Sequence, residues 1–136
     1  MRYLLDTNFI SELRKEDRAN RGVQPWALAN DPAQCALSVI TIGEIREGIE
    51  DLRARDLPQA KVIEKWLAKQ VAEFAGNILP VTTEIADRWG RLMSVTELPE
   101  WDLMVAATAL VHDLSVVTRN VKHFAGTGVR IVNPWK

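Results

Sequence analysis

The stretch Tyr3-Leu4-Leu5-Asp6-Thr7-Asn8 constrains the chain most. Three apolar residues make a strand that opens almost at the first residue. The strand stops on an acid, and two residues that favour helix starts follow. Strand running directly into helix is the opening of an α/β unit, and open α/β sheets gather their ligands at the carboxyl ends of their strands. A carboxylate buried there needs a cation, a proton or hydrogen-bond donors beside it.

The rest of the chain repeats that grammar. A strand over residues 2–5 leads into a helix capped by Thr7 or Asn8 and carrying Phe9, Ile10 and Leu13. Pro25 is expected to open a second short helix, and Asp31-Pro32 reads as a turn. Cys35-Ala36-Leu37-Ser38 is a short buried strand. Thr41-Ile42-Gly43-Glu44 has the S/T-x-x-E spacing of a capping box, so a helix is expected to start there and run through Ile45, Ile49 and Leu52. Leu57-Pro58 breaks it. A second amphipathic helix follows, with Ile63, Trp66, Leu67, Val71 and Phe74 on one face, and the pair forms an αα-hairpin.

Ile78-Leu79-Pro80-Val81 reads as a strand that Pro80 moves toward an edge. Thr82 or Thr83 caps the next helix, with Ile85, Trp89 and Leu92 inward. After Leu98-Pro99 a helix from about Glu100 carries Leu103, Ala106, Ala107, Leu110 and Val111. Ser115 to Thr118 and Val129 to Val132 are the last strands. Short apolar strands alternating with amphipathic helices specify a three-layer α/β/α domain with a mostly parallel sheet of about five strands. Nothing marks a boundary within its 136 residues, so one domain is expected.

A net charge of −1 leaves no global basic field, so any nucleic-acid contact must be local. One cysteine excludes an internal disulfide and suits a reducing compartment. No apolar run approaches a membrane span, and the opening residues lack the segments of a signal peptide; a cytoplasmic protein without membrane contact is expected.

Three acids share one context. Asp6 follows the first strand, and Glu44 lies in the first turn of the helix after the second. Asp102 starts a helix that leads into the Val116-Val117 strand. If that helix packs antiparallel to the strands, it begins at the same sheet edge, and all three acids face one crevice. Several carboxylates there call for a neutralising cation, and Mg²⁺ takes oxygen ligands while keeping water. Such a site can hydrolyse phosphodiesters without a protein nucleophile. No Ser-His-Asp set, zinc spacing or Gly-rich phosphate loop competes with it. Arg119 stands at the same mouth, able to meet a phosphate.

At these residues the sequence resembles the PIN-domain ribonucleases, and within them the VapC/FitB-type toxins of type II toxin–antitoxin pairs. The matching pieces are Leu5-Asp6-Thr7-Asn8 with Ile10-Ser11-Glu12, Ser38 through Glu44 with Gly48, Asp102 through Ala109, and Val117-Thr118-Arg119-Asn120 with Phe124. Gly76 through Pro80 and Asn133-Pro134-Trp135 look like the FitB branch. The resemblance implies a metal-dependent endoribonuclease in which Asp6, Glu44 and Asp102 hold Mg²⁺ or Mn²⁺. Thr7 and Thr118 orient the acids, with Asn8 and Arg119 supporting. It also implies an RNA substrate (tRNA, rRNA or mRNA), a VapB/FitA-like antitoxin whose tail covers the site, a homodimer, and a toxin–antitoxin hetero-oligomer.

The chain departs from the family in one respect. A fourth acid is common in the loop after the last site strand, but no Asp or Glu occurs from Ser115 to Lys136. Asn120 and His123 stand there instead. Asn120 is left to ligate through its carbonyl or through water, and a second metal is not implied.

Structural roles compete at each position. Asp6 can be a cap, Glu44 a capping-box acid and Asp102 a helix-terminal acid. His123 reads as a loop residue, since hard cations prefer oxygen, and His112 as a helix-end surface residue. Trp101 reads as buried, with base stacking as the alternative. Arg46, Arg53, Arg55, Lys61, Lys65 and Lys69 read as a solvated face rather than an RNA stripe. Ile45, Ile49, Trp66 and Leu67 are either core or the lining of a partner groove. A catalytically weak RNA- or antitoxin-binding protein is the alternative function.

Overall fold

The computed structural model describes residues Met1–Lys136. Its strands are β1 (Tyr3–Leu5), β2 (Cys35–Ser38), β3 (Ile78–Leu79), β4 (Ser115–Val117) and β5 (Ile131–Val132). Its helices are α1 (Thr7–Leu13), α2 (Val23–Ala29), α3 (Val39–Arg53), α4 (Leu57–Glu73), α5 (Thr83–Val95) and α6 (Glu100–His112), with three short 3₁₀ turns between them. The strands form one sheet in the order β3-β2-β1-β4-β5, and every pair is parallel. The expected five-stranded parallel sheet between helical layers is present.

Strand alternation explains the three layers. Leu4, Ala36 and Val116 point into a core shared with α5 and α6. Their neighbours Leu5, Leu37 and Val117 point the other way, into a core shared with α1 to α4. Both faces of the sheet are therefore covered, which is why the strands read as apolar runs rather than as alternating ones. Pro80 follows the edge strand β3, where a missing N–H costs no ladder bond.

Topology fixes where ligands belong. The chain runs β1-β2-β3 outward on one side, then crosses back to lay β4 and β5 on the other. The switch point lies between β1 and β4, just beyond Leu5 and Val117, which pair in register.

Several helix starts differ from expectation. Asp6 itself, rather than Thr7 or Asn8, caps α1, accepting from the Thr7 N–H. Helix α3 begins at Val39, capped by Ser38, whose hydroxyl accepts from the Ile40 N–H. The Thr41-x-x-Glu44 spacing is thus not a capping box; both residues sit inside the helix on one face. Helix α2 starts at Val23, and Pro25 lies within its first turn, where N–H groups have no helical partner to lose. Asp56 caps α4 and Thr82 caps α5. Val71 was expected inward but is 39% exposed, because α4 buries only Ala60 and Leu67 fully.

The α3–α4 hairpin is pinned by charge. Arg53 bonds Glu50 at 2.9 Å and Glu64 at 2.6 Å, and Arg46 reaches both acids as well. These two arginines belong to a helix–helix ion network that ties α3 to α4 through Glu64. No helix is long and apolar enough to cross a membrane.

Candidate active site

Asp6 sits at the topological switch point, 3% exposed. Its Oδ1 accepts from the Thr7 N–H at 2.9 Å. Its Oδ2 accepts from the Thr118 hydroxyl at 2.9 Å and from Asn8 Nδ2 at 3.2 Å. Thr118 joins β4 to β1 through this bond, and its oxygen also accepts from Asn8 Nδ2 and from the Asn120 N–H, each at 3.0 Å. Asn8 Oδ1 accepts in turn from the Arg119 N–H at 3.1 Å. The carboxylate is thus held rigidly by donors from two chain segments more than a hundred residues apart.

Glu44 reaches the same place from α3. Its Oε1 accepts from the Thr7 hydroxyl at 2.9 Å, and Thr41, one helical turn earlier and fully buried, lies 3.2 Å from that hydroxyl. Thr41 was not singled out from the sequence, where it looked like a cap. Its three-residue spacing from Glu44 was the available signal.

Asp102 sits in the first turn of α6. Because α6 leads into a parallel strand, it runs antiparallel to the sheet and opens at the carboxyl edge, as expected. Its Oδ2 lies 2.9 Å from His123 Nδ1. That nitrogen is buried and has no aligned hydrogen-bond partner. His123 therefore faces the acid pocket rather than standing apart in a loop.

Electrostatics couples the three acids. Burial pushes the Asp6 carboxyl above its ordinary value, against the pull of the Thr118 and Thr7 hydrogen bonds, and the Asp102 charge pushes it further. Burial also raises Glu44, opposed by Thr7 and reinforced by Asp6 and Asp102. Asp102 is raised by burial and drawn down by His123. Asp6 and Glu44 both feel the Asp102 charge, and Glu44 feels Asp6 as well. No three acidic, histidine or cysteine side chains close on one point tightly enough to cage an ion. Asp6 is fixed, while Glu44 leans on Thr7 and Asp102 on His123. The donor set, hard oxygens in mutual repulsion, suits a divalent cation that keeps most of its water and needs only one or two direct carboxylates.

The mouth is mixed. Arg119 is exposed, and with Asn120, Val121, Lys122 and His123 it lines a hollow of about 320 Å³. Trp101 is 55% exposed rather than buried, since its neighbour Asp102, not Trp101, faces inward; with Val39, Ile40, Gly43, Glu44 and Glu47 it lines a second hollow. A groove of about 250 Å³ leaves Thr7 and Glu44 and runs past Ile63 and Trp66. Ile45, Ile49 and Leu67 are core residues, although the first two also floor this groove.

Known proteins share this arrangement of elements. The sequence model of the PIN domain matches residues 3–128. The VapC ribonuclease Y4jK of Sinorhizobium fredii is 32% identical over 139 residues, spanning 98% of this chain and 97% of the relative. The crystal structure of FitAcB from Neisseria gonorrhoeae superposes with a TM-score of 0.88 at 32% identity, over 98% of both chains. A chain in the toxin–antitoxin complex from Klebsiella pneumoniae does so with a TM-score of 0.75 at 29% identity, again over 98% of each.

Proposed function

This chain belongs to the PIN domain family, and from that premise we propose that it is the endoribonuclease toxin of a toxin–antitoxin pair, with Mg²⁺ or Mn²⁺ as its cofactor. The observation that carries the proposal is the burial of Asp6 at the switch point, coupled to Glu44 and Asp102, with no Lys or Arg side chain bonded to any of the three.

Asp6, Glu44 and Asp102 would hold the cation, with Asn120 adding a carbonyl or a water-mediated contact. When bound, the cation would polarise a phosphate oxygen and acidify water. The remaining work belongs to the chain. Thr118 and the Thr7 N–H fix the Asp6 oxygens, so the carboxylate is ready to orient an attacking water in line with the leaving oxygen. The Thr7 hydroxyl holds Glu44 toward the crevice. Arg119 and Lys122 stand where an RNA backbone would pass, and Trp101 offers a face for an unstacked base. The groove past Ile63 and Trp66 ends at Thr7 and Glu44 and suits the tail of an antitoxin that delivers a cation, Arg or Lys, to Glu44.

RNA cleavage with Mg²⁺ or Mn²⁺ tests the proposal. Asp6→Asn is expected to abolish cleavage by a folded protein, and EDTA to silence the wild type. Undiminished cleavage by Asp6→Asn would refute it. A second reading follows from the open spacing of the acids and from the absence of any acid after Asp113. In that reading the fold binds RNA or its antitoxin with little turnover, and growth inhibition survives an Asp6/Asp102 double substitution.

A further inference from the structure

We propose that the hollow between the starts of α3 and α6 is a nucleobase subsite that selects guanine, with Trp101 as its stacking face and Glu47 as its reading edge. The proposal deepens the ribonuclease reading above and rests on it. The hollow measures about 250 Å³ and is lined by Val39, Ile40, Gly43, Glu44, Glu47 and Trp101. It adjoins the acids on two sides. Glu44 is part of its wall, and Trp101 directly precedes Asp102 in the first turn of α6. A nucleotide beside the scissile phosphate would therefore meet it.

Trp101 stands out on its helix. It is 55% exposed, whereas every residue from Leu103 to Ala109 is buried. The α3 side of the hollow is open as well, since a Cβ added at Gly43 would meet nothing within 4 Å. An exposed indole beside such a hollow can stack an unpaired base, and every base has a π-face. Stacking alone selects none of the four.

Selection comes from Glu47. It is exposed, and its charge reaches Glu44. The two basic residues of α3, Arg46 and Arg53, bond Glu50 and Glu64 instead. A carboxylate offers acceptors only. Guanine has two neighbouring donors, N1–H and the N2 amino group, on its Watson–Crick edge. Adenine, cytosine and uracil each place an acceptor beside their donor there. Only guanine can donate to both Glu47 oxygens at once. Charge also decides which part of the nucleotide enters. Glu44 and Glu47 repel a phosphate, while Arg119 and Lys122 line the other hollow, where the backbone would pass.

The single-stranded RNA pentamers UUGUU and UUAUU test this, with binding followed by fluorescence anisotropy in EDTA. Wild type is expected to bind the guanine pentamer about tenfold or more tightly, the scale of a two-bond base contact. Glu47→Gln, whose amide sets a donor beside an acceptor, is expected to lose that preference or turn it toward adenine. Trp101→Ala is expected to weaken both pentamers about tenfold, and Trp101→Phe to recover most of the loss. Equal binding of the two pentamers by wild type, or a guanine preference that survives Glu47→Gln, would overturn the inference; RNA cleavage with Mn²⁺ would still leave the ribonuclease reading standing. A chain that binds neither pentamer and cuts no RNA would overturn both. A hollow covered by a second copy would show as a dimer that Trp101→Ala turns into a monomer with pentamer binding unchanged, which also overturns the inference. Both side chains are exposed, so the variants are expected to keep the wild-type circular dichroism spectrum.

Discussion

Glu44 shows what a single carboxylate costs this fold. Burial, then the charges of Asp6 and Asp102, hold its pKa above the ordinary value, despite the Thr7 hydrogen bond. Between its ordinary and raised values the folded chain keeps a proton that the unfolded chain has released. Stability contributed by that proton is present at low pH and is lost as pH rises through the window. At neutral pH and without divalent cations, Glu44 is therefore a liability. Glu44→Gln removes the charge and keeps an oxygen to accept from Thr7. It is expected to raise Tm at pH 7 by about a degree or two, a small figure because Glu44 is only half-buried and partly screened. The advantage should vanish below the ordinary carboxylate range. Thermal unfolding followed by circular dichroism at both pH values checks it; a variant less stable than wild type at pH 7 would contradict the repulsion.

At the level of elements, the start of α3 decides which face of the helix Glu44 occupies. Ser38 is 1% exposed and caps the helix through the Ile40 N–H, one turn ahead of the Thr41-x-x-Glu44 spacing that the sequence offered as the cap. Ser38→Ala should cost about 1 kcal/mol, a drop of a few degrees in Tm measured by calorimetry. An unchanged Tm would move the start of the helix back toward Thr41. The case also marks what was readable. Alternating apolar strands and amphipathic helices were plain from Tyr3 to Val132, and the edge position of the Ile78–Leu79 strand followed from Pro80. Helix starts were not, since Asp6, Thr7, Asn8, Ser38 and Thr41 all cap equally well on paper. Only packing chooses among them. Two surroundings were also hidden. Trp101 is exposed because Asp102, its neighbour in α6, takes the inward direction. His123 meets Asp102 across 21 residues through a turn fixed by Phe124, a contact without local periodicity.

For the molecule as a whole, an all-parallel sheet sends every strand end, and the start of α6, to the edge where Asp6, Glu44 and Asp102 are carried. That common edge was legible from the sequence; the open spacing of Asp6, Glu44 and Asp102 along it was not. Their repulsion is carried by the fold itself and is relieved only when something positive enters, so a bound divalent ion should act as a stabiliser of the folded chain. Net charge is −1, so such a response would be local to the crevice rather than a general effect of salt. A ligand present at a hundred times its Kd adds about 2.7 kcal/mol, which for a chain of this size is on the order of 10 °C in Tm. Thermal unfolding with increasing Mn²⁺ is expected to show this rise in wild type. Asp6→Asn should remove it, because it takes away the one carboxylate locked in position. Acid pH should remove it too, because ligands must be deprotonated to bind. An equal rise with K⁺ at matched ionic strength, or an undiminished rise in Asp6→Asn, would mean that the ion binds elsewhere and that the crevice is not its site.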